Sequence, residues 1–283
     1  MAKAVYLHAG AHRTGTSSFQ MFLSANSPAI RAAGYDLAYP GRDDIPGGRL
    51  RLRLPGPGDY LQNHLAEIQT PEAQALILSE ENIPGSMRPF FKGEFFPGIR
   101  RRLKMLRDAL PGPVARVLYV VRPYDELFVS GYRKWAEDNP VPPFDTFIDG
   151  FLGLQGGWPH VVSALRDVFD QAEVVVLSYA NRGSNAELFQ RLVPEMAAQS
   201  WEEPQRLVNL SATDAGLIAL QQIYAEGREL RRKDWQAVIA DHANQKERLG
   251  FAAFPDDARQ MLVDRYAQDL EDLAQMSGVE FQK

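Results

Sequence analysis

Short apolar runs alternate along the chain with longer segments whose apolar residues recur at helical spacing. The runs lie at Ala4–His8, Ala75–Ser79, Val114–Val121 and Glu173–Ser178, with a weaker one at residues 35–39. Near-continuous apolar runs are typical of strands that are buried on both faces. Strands separated by helical stretches indicate a parallel sheet, so the pattern predicts an α/β fold with a parallel sheet in three layers.

Helical spacing is clearest in two segments, one after the run at Ala4–His8 and one after the run at Ala75–Ser79. Residues 16–33 place Phe19 and Phe22 on one face and end at Gly34, which is suited to a helix C-terminus. At residues 99–110 apolar positions recur every three or four residues and basic residues fill the rest. We expect the second segment to form an amphipathic helix with a solvated basic face.

The strand pattern stops after residue 210, and helical patterns begin near Ser211 and Pro255. A chain of 283 residues lies at the upper end for one domain. We therefore predict a single domain over residues 1–283. It consists of an α/β core at residues 1–210 and a helical annex at residues 211–283.

Charge and composition exclude several classes of function. The formal net charge is −5, so the chain has no basic excess for general nucleic-acid binding and any anion site must be local. Cysteine is absent, which excludes disulfides, zinc–thiolate sites and thiol catalysis. No apolar run has a membrane-spanning length, and the first strand begins too early for a signal peptide. A cytoplasmic protein without a membrane span is the expectation.

The loop after the first strand has the composition of an anion-binding loop at a helix N-terminus. Glycines let the backbone turn tightly, and the hydroxyl side chains that follow add donors where the helix dipole favours negative charge. The loop reads Gly10-Ala11-His12-Arg13-Thr14-Gly15-Thr16-Ser17. Compared with the ATPase pattern G-x-x-x-x-G-K-[ST], Thr16 occupies the lysine position and the cation, Arg13, stands earlier. An ordinary Mg²⁺-dependent NTPase is therefore disfavoured.

The R-T-G-T-S run at residues 13–17 resembles the 5′-phosphosulfate loop of sulfotransferases, commonly K-[ST]-G-T-[TS]. That loop holds 3′-phosphoadenosine 5′-phosphosulfate (PAPS). Most of the family has Lys where this chain has Arg13, although the tyrosylprotein sulfotransferases are similar in using Arg. The resemblance implies a P-loop-like topology and PAPS as sulfuryl donor without a metal. It implies nucleotide contacts from His12, Arg13, Thr14, Gly15, Thr16 and Ser17, with His12 contacting the ligand or packing the loop.

A second motif follows the strand at Val114–Val121. The block from Arg122 to Tyr132, R-P-x-x-x-x-x-x-S-x-Y, resembles the family's 3′-phosphate motif. Ser130 lies about two helical turns after Arg122, so its hydroxyl and the guanidinium can reach one ligand. The resemblance covers mainly residues 4–20 and 114–135 and is weaker to about residue 180.

Sulfuryl transfer requires a cation at the bridging oxygen and a base for the acceptor. Arg13 is the candidate cation, and it stabilises charge without acting as an acid. Glu80 and Glu81 follow the strand at Ala75–Ser79, where active sites of open α/β sheets lie. His64 is the rival base because the ordinary pKa of histidine is closest to neutral. Alternation along the strand favours Glu81 over its neighbour.

The acceptor side is less defined by the sequence. In the Pro/Gly-rich residues 40–60, three arginines alternate with leucines from Arg49 to Leu54, which indicates a short edge strand or a lid for an anionic acceptor. The Phe-rich segment at residues 90–96 belongs to the core or walls an acceptor pocket. Carbohydrate, lipid and small-molecule hydroxyl acceptors all stay open. The alternatives are a kinase with a degenerate loop and a catalytically silent adenosine-bisphosphate-binding protein.

Overall fold

In the computed structural model of the chain, which describes residues 3–41, 45–56, 58–204 and 212–283, six parallel strands form one sheet. The strands are β1 (Ala4–His8), β2 (Tyr35–Ala38), β3 (Ala75–Ser79), β4 (Val114–Val121), β5 (Glu173–Ser178) and β6 (Val279–Gln282). Their order across the sheet is β2-β3-β1-β4-β5-β6. The five strands predicted from the sequence are confirmed, and the α/β class with a parallel sheet is confirmed with them.

Eleven α-helices connect the strands within the described residues. They are α1 (Thr16–Ala25), α2 (Ser27–Ala32), α3 (Gly58–Ile68), α4 (Ile99–Ala109), α5 (Tyr124–Ala136), α6 (Ile148–Leu152), α7 (Trp158–Val168), α8 (Asn185–Leu192), α9 (Asp214–Ala225), α10 (Arg232–Asp241) and α11 (Asp256–Ala274). Short 3₁₀ turns occur at Arg88–Lys92, Phe144–Phe147, Tyr179–Asn181 and Pro194–Met196.

The sheet is covered on both faces, as the continuous apolar runs predict. Side chains that alternate along each strand divide between two apolar clusters. In β4, for example, Val117 and Tyr119 join the cluster under α4, α5 and α7, whereas Leu118 and Val120 join the one under α1 and α8. The fold is thus three layers, with helices on either side of the sheet.

Three predictions about secondary structure were wrong. The segment 16–33 is two helices, because the Asn26 side chain binds the backbone of Phe22 and Glu202 and a proline follows at position 28. Residues 49–54 form no strand. They alternate between exposed arginines and more buried leucines. Leu50 N donates to Tyr39 O at 2.9 Å, but Arg51 N donates to the His64 ring and not to a neighbouring strand.

The C-terminal part is not purely helical, which is the third error. Its last residues form β6, which pairs with β5 from Val174↔Val279 to Leu177↔Gln282, so the annex contributes to the sheet. A four-residue strand at an edge has too little apolar alternation to be recognised in the sequence. The Ser211 cap lies outside the described residues, and the N-cap of α9 is Thr213, whose Oγ1 accepts from Gly216 N at 3.2 Å.

The topology creates a crevice at the carboxyl end of the sheet. From β1 the chain turns toward β2 and β3 on one side, and from β4 it turns toward β5 on the other. β1 and β4 are neighbours, so their following loops separate at the point where the winding reverses. Ligands of open α/β sheets bind at such a switch point.

Candidate functional site

The loop after β1 continues along β4 before it turns into α1. Ala9 N donates to Leu118 O at 3.1 Å and Val120 N donates to Gly10 O at 3.0 Å, which fixes the first half of the loop. Gly15 caps α1 in the left-handed region at φ 91°. The left-handed φ favours glycine at this position, and a Cβ would lie 3.0 Å from Arg182 Cζ, so that this side chain would have to shift.

This loop and the ends of three other strands surround one cavity of about 830 Å³. Glu81 follows β3, Arg122 follows β4, and Tyr179 follows β5. The loop after β1 and the start of α1 contribute His12, Arg13, Gly15, Thr16, Ser17 and Ser18. Helix α5 adds Ser130. The structure therefore brings together most of the site residues predicted from separate motifs.

Arg13, Arg122 and Ser130 are joined directly. Arg13 Nε donates to Ser130 Oγ at 2.8 Å, and Arg122 Nη1 donates to the Arg13 carbonyl oxygen at 2.6 Å. The Arg122 guanidinium also lies 4.5 Å from the Tyr179 ring centroid, within cation–π range. In this arrangement Ser130 holds Arg13 and Arg122 supports the Arg13 backbone, and the prediction that Arg122 and Ser130 bind one phosphate stays a prediction.

Two hydroxyls that we expected to face a ligand bind the loop itself. Thr14 Oγ1 donates to Ala11 O at 2.7 Å, and Thr16 Oγ1 donates to the same oxygen at 3.1 Å. Both residues are buried, Thr14 being 2% exposed and Thr16 4%. Their side chains stabilise the turn, and the loop also brings Ser17 and Ser18 to the cavity.

Burial governs the protonation of the basic groups in the loop. It lowers the pKa of His12, against the opposing effect of Glu81 and the Gly85 carbonyl. Burial also lowers the pKa of Arg13, which Glu137 opposes, but arginine stays charged at neutral pH. His12 Nε2 lies 2.8 Å from Gly85 O, and because a carbonyl oxygen only accepts, Nε2 carries a proton and donates it.

The two adjacent glutamates point in different directions. Glu80 is 4% exposed, and its Oε1 accepts from Asn82 N at 2.8 Å and from Asn82 Nδ2 at 2.7 Å. Glu81 lines the cavity, and its charge acts on both His12 and Arg13. Of the two adjacent glutamates, Glu81 is therefore the one that lines the cavity, whereas Glu80 stabilises the turn.

His64 lies apart from these residues, on α3. Its Nε2 is 2.9 Å from Arg51 N and 2.8 Å from Arg49 O. It lines a second cavity, of about 620 Å³, with the exposed Arg49 and Arg51. The sequence placed His64 among the candidate bases because of its residue type alone, and the structure does not bring it to Glu81 or Arg13.

Several lining residues were missed by the sequence reasoning. Tyr179 directly follows β5, so the rule that sites lie at the carboxyl ends of strands would have found it. The far side of the cavity is lined by Arg88, Phe91, Lys134, Trp135, Asp138, Arg232 and Trp235. Of the Phe-rich segment only Phe91 lines it, because Phe90, Phe95 and Phe96 are each 1% exposed in the core.

The sequence suggested that the basic face of α4 is solvated, but one of its arginines, Arg102, binds the neighbouring loop. Arg102 Nη2 donates to Asn82 O at 2.6 Å and Arg102 Nε donates to Ile83 O at 3.1 Å. This guanidinium holds the loop that follows Glu81.

In the described part of the chain, no cluster of His, Asp or Glu side chains is arranged to hold a metal ion, and no helix combines the length and apolarity needed to span a bilayer.

Comparison with known proteins gives no assignment. No protein-family model matches the chain, and a search of curated proteins found no significant match. The function must therefore be argued from the cavity and its residues.

Proposed function

We propose that the protein is a sulfotransferase that moves a sulfuryl group from PAPS to a hydroxyl or amine acceptor. The observation that carries the proposal is the meeting, in one cavity, of a helix-N-terminal loop bearing Arg13 with Arg122 from the next strand. In this proposal the sheet has the P-loop-like sulfotransferase topology. The resemblance of the two motifs to that family supports the choice of nucleotide.

The cavity suits a nucleotide with two anionic ends. The N-terminus of α1 and its loop offer backbone N–H groups and a favourable dipole for the 5′-phosphosulfate. Arg122 offers a charged donor for the 3′-phosphate. A volume of about 830 Å³ lies in the upper part of the range for small-molecule sites, roughly 300–1,000 Å³, and leaves room for an acceptor.

The proposed step is an in-line displacement at sulfur. The acceptor oxygen forms a bond to sulfur while the bond from sulfur to the bridging phosphate oxygen breaks, and adenosine 3′,5′-bisphosphate leaves with that electron pair. Arg13 stabilises the charge that develops on the bridging oxygen, with backbone N–H groups of the loop. Glu81 takes the acceptor proton, since it lines the cavity and its charge acts on the neighbouring His12 and Arg13.

Calorimetry with adenosine 3′,5′-bisphosphate, without metal, tests the nucleotide site. We expect binding in the micromolar range or tighter, and much weaker binding of 5′-AMP, which lacks the 3′-phosphate. Radiolabelled PAPS then tests turnover. Binding of ATP–Mg²⁺ in preference to the bisphosphate would indicate a kinase with a degenerate loop. Binding without turnover on any acceptor would indicate a silent nucleotide-binding protein.

A further inference from the structure

Arg182 packs against the loop that leads into α1. It follows β5 and the 3₁₀ turn at Tyr179–Asn181. Its guanidinium occupies the space into which a side chain at Gly15 would point, since a Cβ there would lie 3.0 Å from Arg182 Cζ and 3.1 Å from both Nε and Nη2. Gly15 caps α1 and lines the cavity, whereas Arg182 lies behind it, outside the lining.

The Arg182 side chain is also joined to the first turn of α1. Its Nη2 donates to Asn185 Oδ1 at 2.9 Å, and Asn185 Nδ2 donates in turn to Ser18 Oγ at 3.1 Å. Ser18 lies on α1 and lines the cavity. The Asn185 amide therefore fixes the position of the guanidinium relative to the N-terminus of this helix.

The charge of Arg182 has no ion-pair partner among the described residues. Its Nη1 donates to the backbone oxygen of Gly183 at 3.3 Å, and its Nε is buried without a hydrogen bond. Glu203 acts on it through its charge, but the Glu203 carboxylate accepts from Asn185 Nδ2 at 3.0 Å and from Ala186 N at 2.6 Å. Burial lowers the pKa of Arg182, as expected for a cation that has lost solvent without gaining a carboxylate.

Two other half-buried arginines have carboxylate partners. Arg116 donates to Glu173, and Arg133 donates to Asp214. A charge that is partly removed from water is costly unless an opposite charge compensates it. An anion bound at the N-terminus of α1 would compensate Arg182, because the guanidinium contacts the residue that caps this helix.

We propose that Arg182 is a positioning residue for the anion at this loop, and that its charge, held behind Gly15, stabilises the 5′ anionic group of the nucleotide without touching it. The inference rests on the proposed function for the identity of the nucleotide, but it does not require sulfuryl transfer. Three arginines then have separate roles. Arg122 binds the 3′-phosphate, Arg13 stabilises the bridging oxygen, and Arg182 favours the binding of the 5′ group.

Calorimetry with three anions tests this role. Adenosine 3′,5′-bisphosphate, 5′-AMP and inorganic pyrophosphate are titrated into wild type, Arg182→Gln and Arg182→Lys. Arg182→Gln should weaken the bisphosphate and 5′-AMP by the same factor, about tenfold, because it removes a charge close to a group that both nucleotides carry. Arg182→Lys keeps the charge and should retain most of the affinity. Arg122→Ala, in contrast, should weaken the bisphosphate more than 5′-AMP.

The stability of the free protein separates this role from a structural one. Because Arg182 has no ion-pair partner among the described residues, Arg182→Gln should leave the urea midpoint of the free protein unchanged or raise it. Arg116→Gln is the matched control, since Arg116 is also half-buried but donates to Glu173 near the opposite end of the sheet. That variant should leave all three affinities within about twofold of wild type, because its charge is more than a Debye length of about 10 Å from the loop.

The inference and the proposed function fail in different ways. If wild type binds pyrophosphate but neither nucleotide, the nucleotide assignment is wrong, and the effect of Arg182→Gln on pyrophosphate decides the role of Arg182. If none of the three anions binds wild type, both are overturned. Unchanged affinities in Arg182→Gln overturn the inference alone. A loss of affinity that Arg182→Lys shares in full, or that accompanies a lowered urea midpoint, also overturns it and leaves the nucleotide site in place.

Discussion

The inner and outer parts of the cavity are built in different ways. The inner wall, which comprises His12, Arg13, Glu81, Arg122 and Ser130, comes mainly from the loops that follow strands. The side chains of His12, Arg13 and Arg122 form hydrogen bonds to one another's residues, to Ser130 or to the loop backbone. The outer wall comprises Arg88, Phe91, Lys134, Trp135, Asp138 and Trp235, and apart from Asp138 these residues lie on helices or on a 3₁₀ turn. The inner wall therefore has a geometry fixed by the sheet, whereas the outer wall depends on how helices pack.

This difference matters for function. Groups that stabilise charge in a transition state must be held in place before the reaction, which the hydrogen bonds around Arg13 achieve. Groups that select an acceptor can vary without disturbing that arrangement. Substitutions in the inner wall should therefore impair turnover or nucleotide binding strongly, and substitutions elsewhere should have smaller effects.

The largest effect is expected for Glu81→Gln. Loss of a general base lowers turnover by roughly 10²–10⁴-fold, and the amide keeps the side-chain shape. Affinity for adenosine 3′,5′-bisphosphate should be unchanged. Glu80→Gln is the matched control, because Glu80 accepts from Asn82 and not from a cavity ligand. Turnover is measured with radiolabelled PAPS; equal losses in the two variants would contradict the assignment of Glu81.

Arg13→Ala should lower turnover by about 10²–10³-fold, because a fixed donor at the bridging oxygen acts mainly in the transition state. Bisphosphate affinity should fall less than turnover. Arg13→Lys should retain measurable activity, since it keeps the charge. A single-turnover assay next to calorimetry separates the two effects, and wild-type turnover in Arg13→Ala would show that the cation acts elsewhere.

Arg122→Ala should weaken adenosine 3′,5′-bisphosphate about tenfold or more, the cost of a charge-assisted hydrogen bond. 5′-AMP should lose much less affinity. Because Arg122 also supports the Arg13 carbonyl, turnover should fall as well. If calorimetry shows equal weakening of both nucleotides, Arg122 acts through the loop backbone and not on the 3′-phosphate.

A smaller effect, on stability, is expected for a substitution at the contact between α9 and α5. Helix α10, which bears Trp235, packs on α9. Arg133 donates to Asp214, and Asp214 Oδ2 also accepts from Leu249 N at 2.8 Å. Burial raises the pKa of Asp214, but the hydrogen bond and charge of Arg133 outweigh it, so the pKa lies below its ordinary value. Asp214→Asn should lower the free energy of unfolding by about 1 kcal/mol at neutral pH.

The lowered pKa of Asp214 determines how the stability of the protein depends on pH. A carboxyl whose folded pKa is depressed stabilises the protein fully above its unfolded pKa, about 3.9, and this contribution is lost as the pH falls through the folded value. Urea unfolding of wild type and Asp214→Asn should therefore converge in acid. A difference that stays constant down to pH 2 would mean that the Asp214 charge is not responsible.

The contrast between the two walls also explains what the sequence could predict. Apolar runs located five of the six strands, the two motifs located Arg13 and Arg122, and the rule for carboxyl ends of strands located Glu81, because each of these signals depends on neighbours in sequence. Lys134, Trp135 and Trp235 meet only after α5 and α10 pack, and no local pattern marks such a meeting. We predicted that the Thr14 and Thr16 hydroxyls face a ligand, but both donate to Ala11 O, because a short side chain can bind its own loop as readily as a ligand.

The smallest effect is expected for His64, which residue type alone made a candidate base. His64→Ala should leave turnover and bisphosphate affinity within about twofold of wild type, as for most substitutions outside a site. Its ring lies against Arg49 and Arg51 and lines the second cavity, so any change should appear in stability rather than in kinetics. A loss of turnover with unchanged bisphosphate affinity and melting temperature would contradict this. It would mean that the loop at residues 49–54 reaches the acceptor, and the division into an inner and an outer wall would then be incomplete.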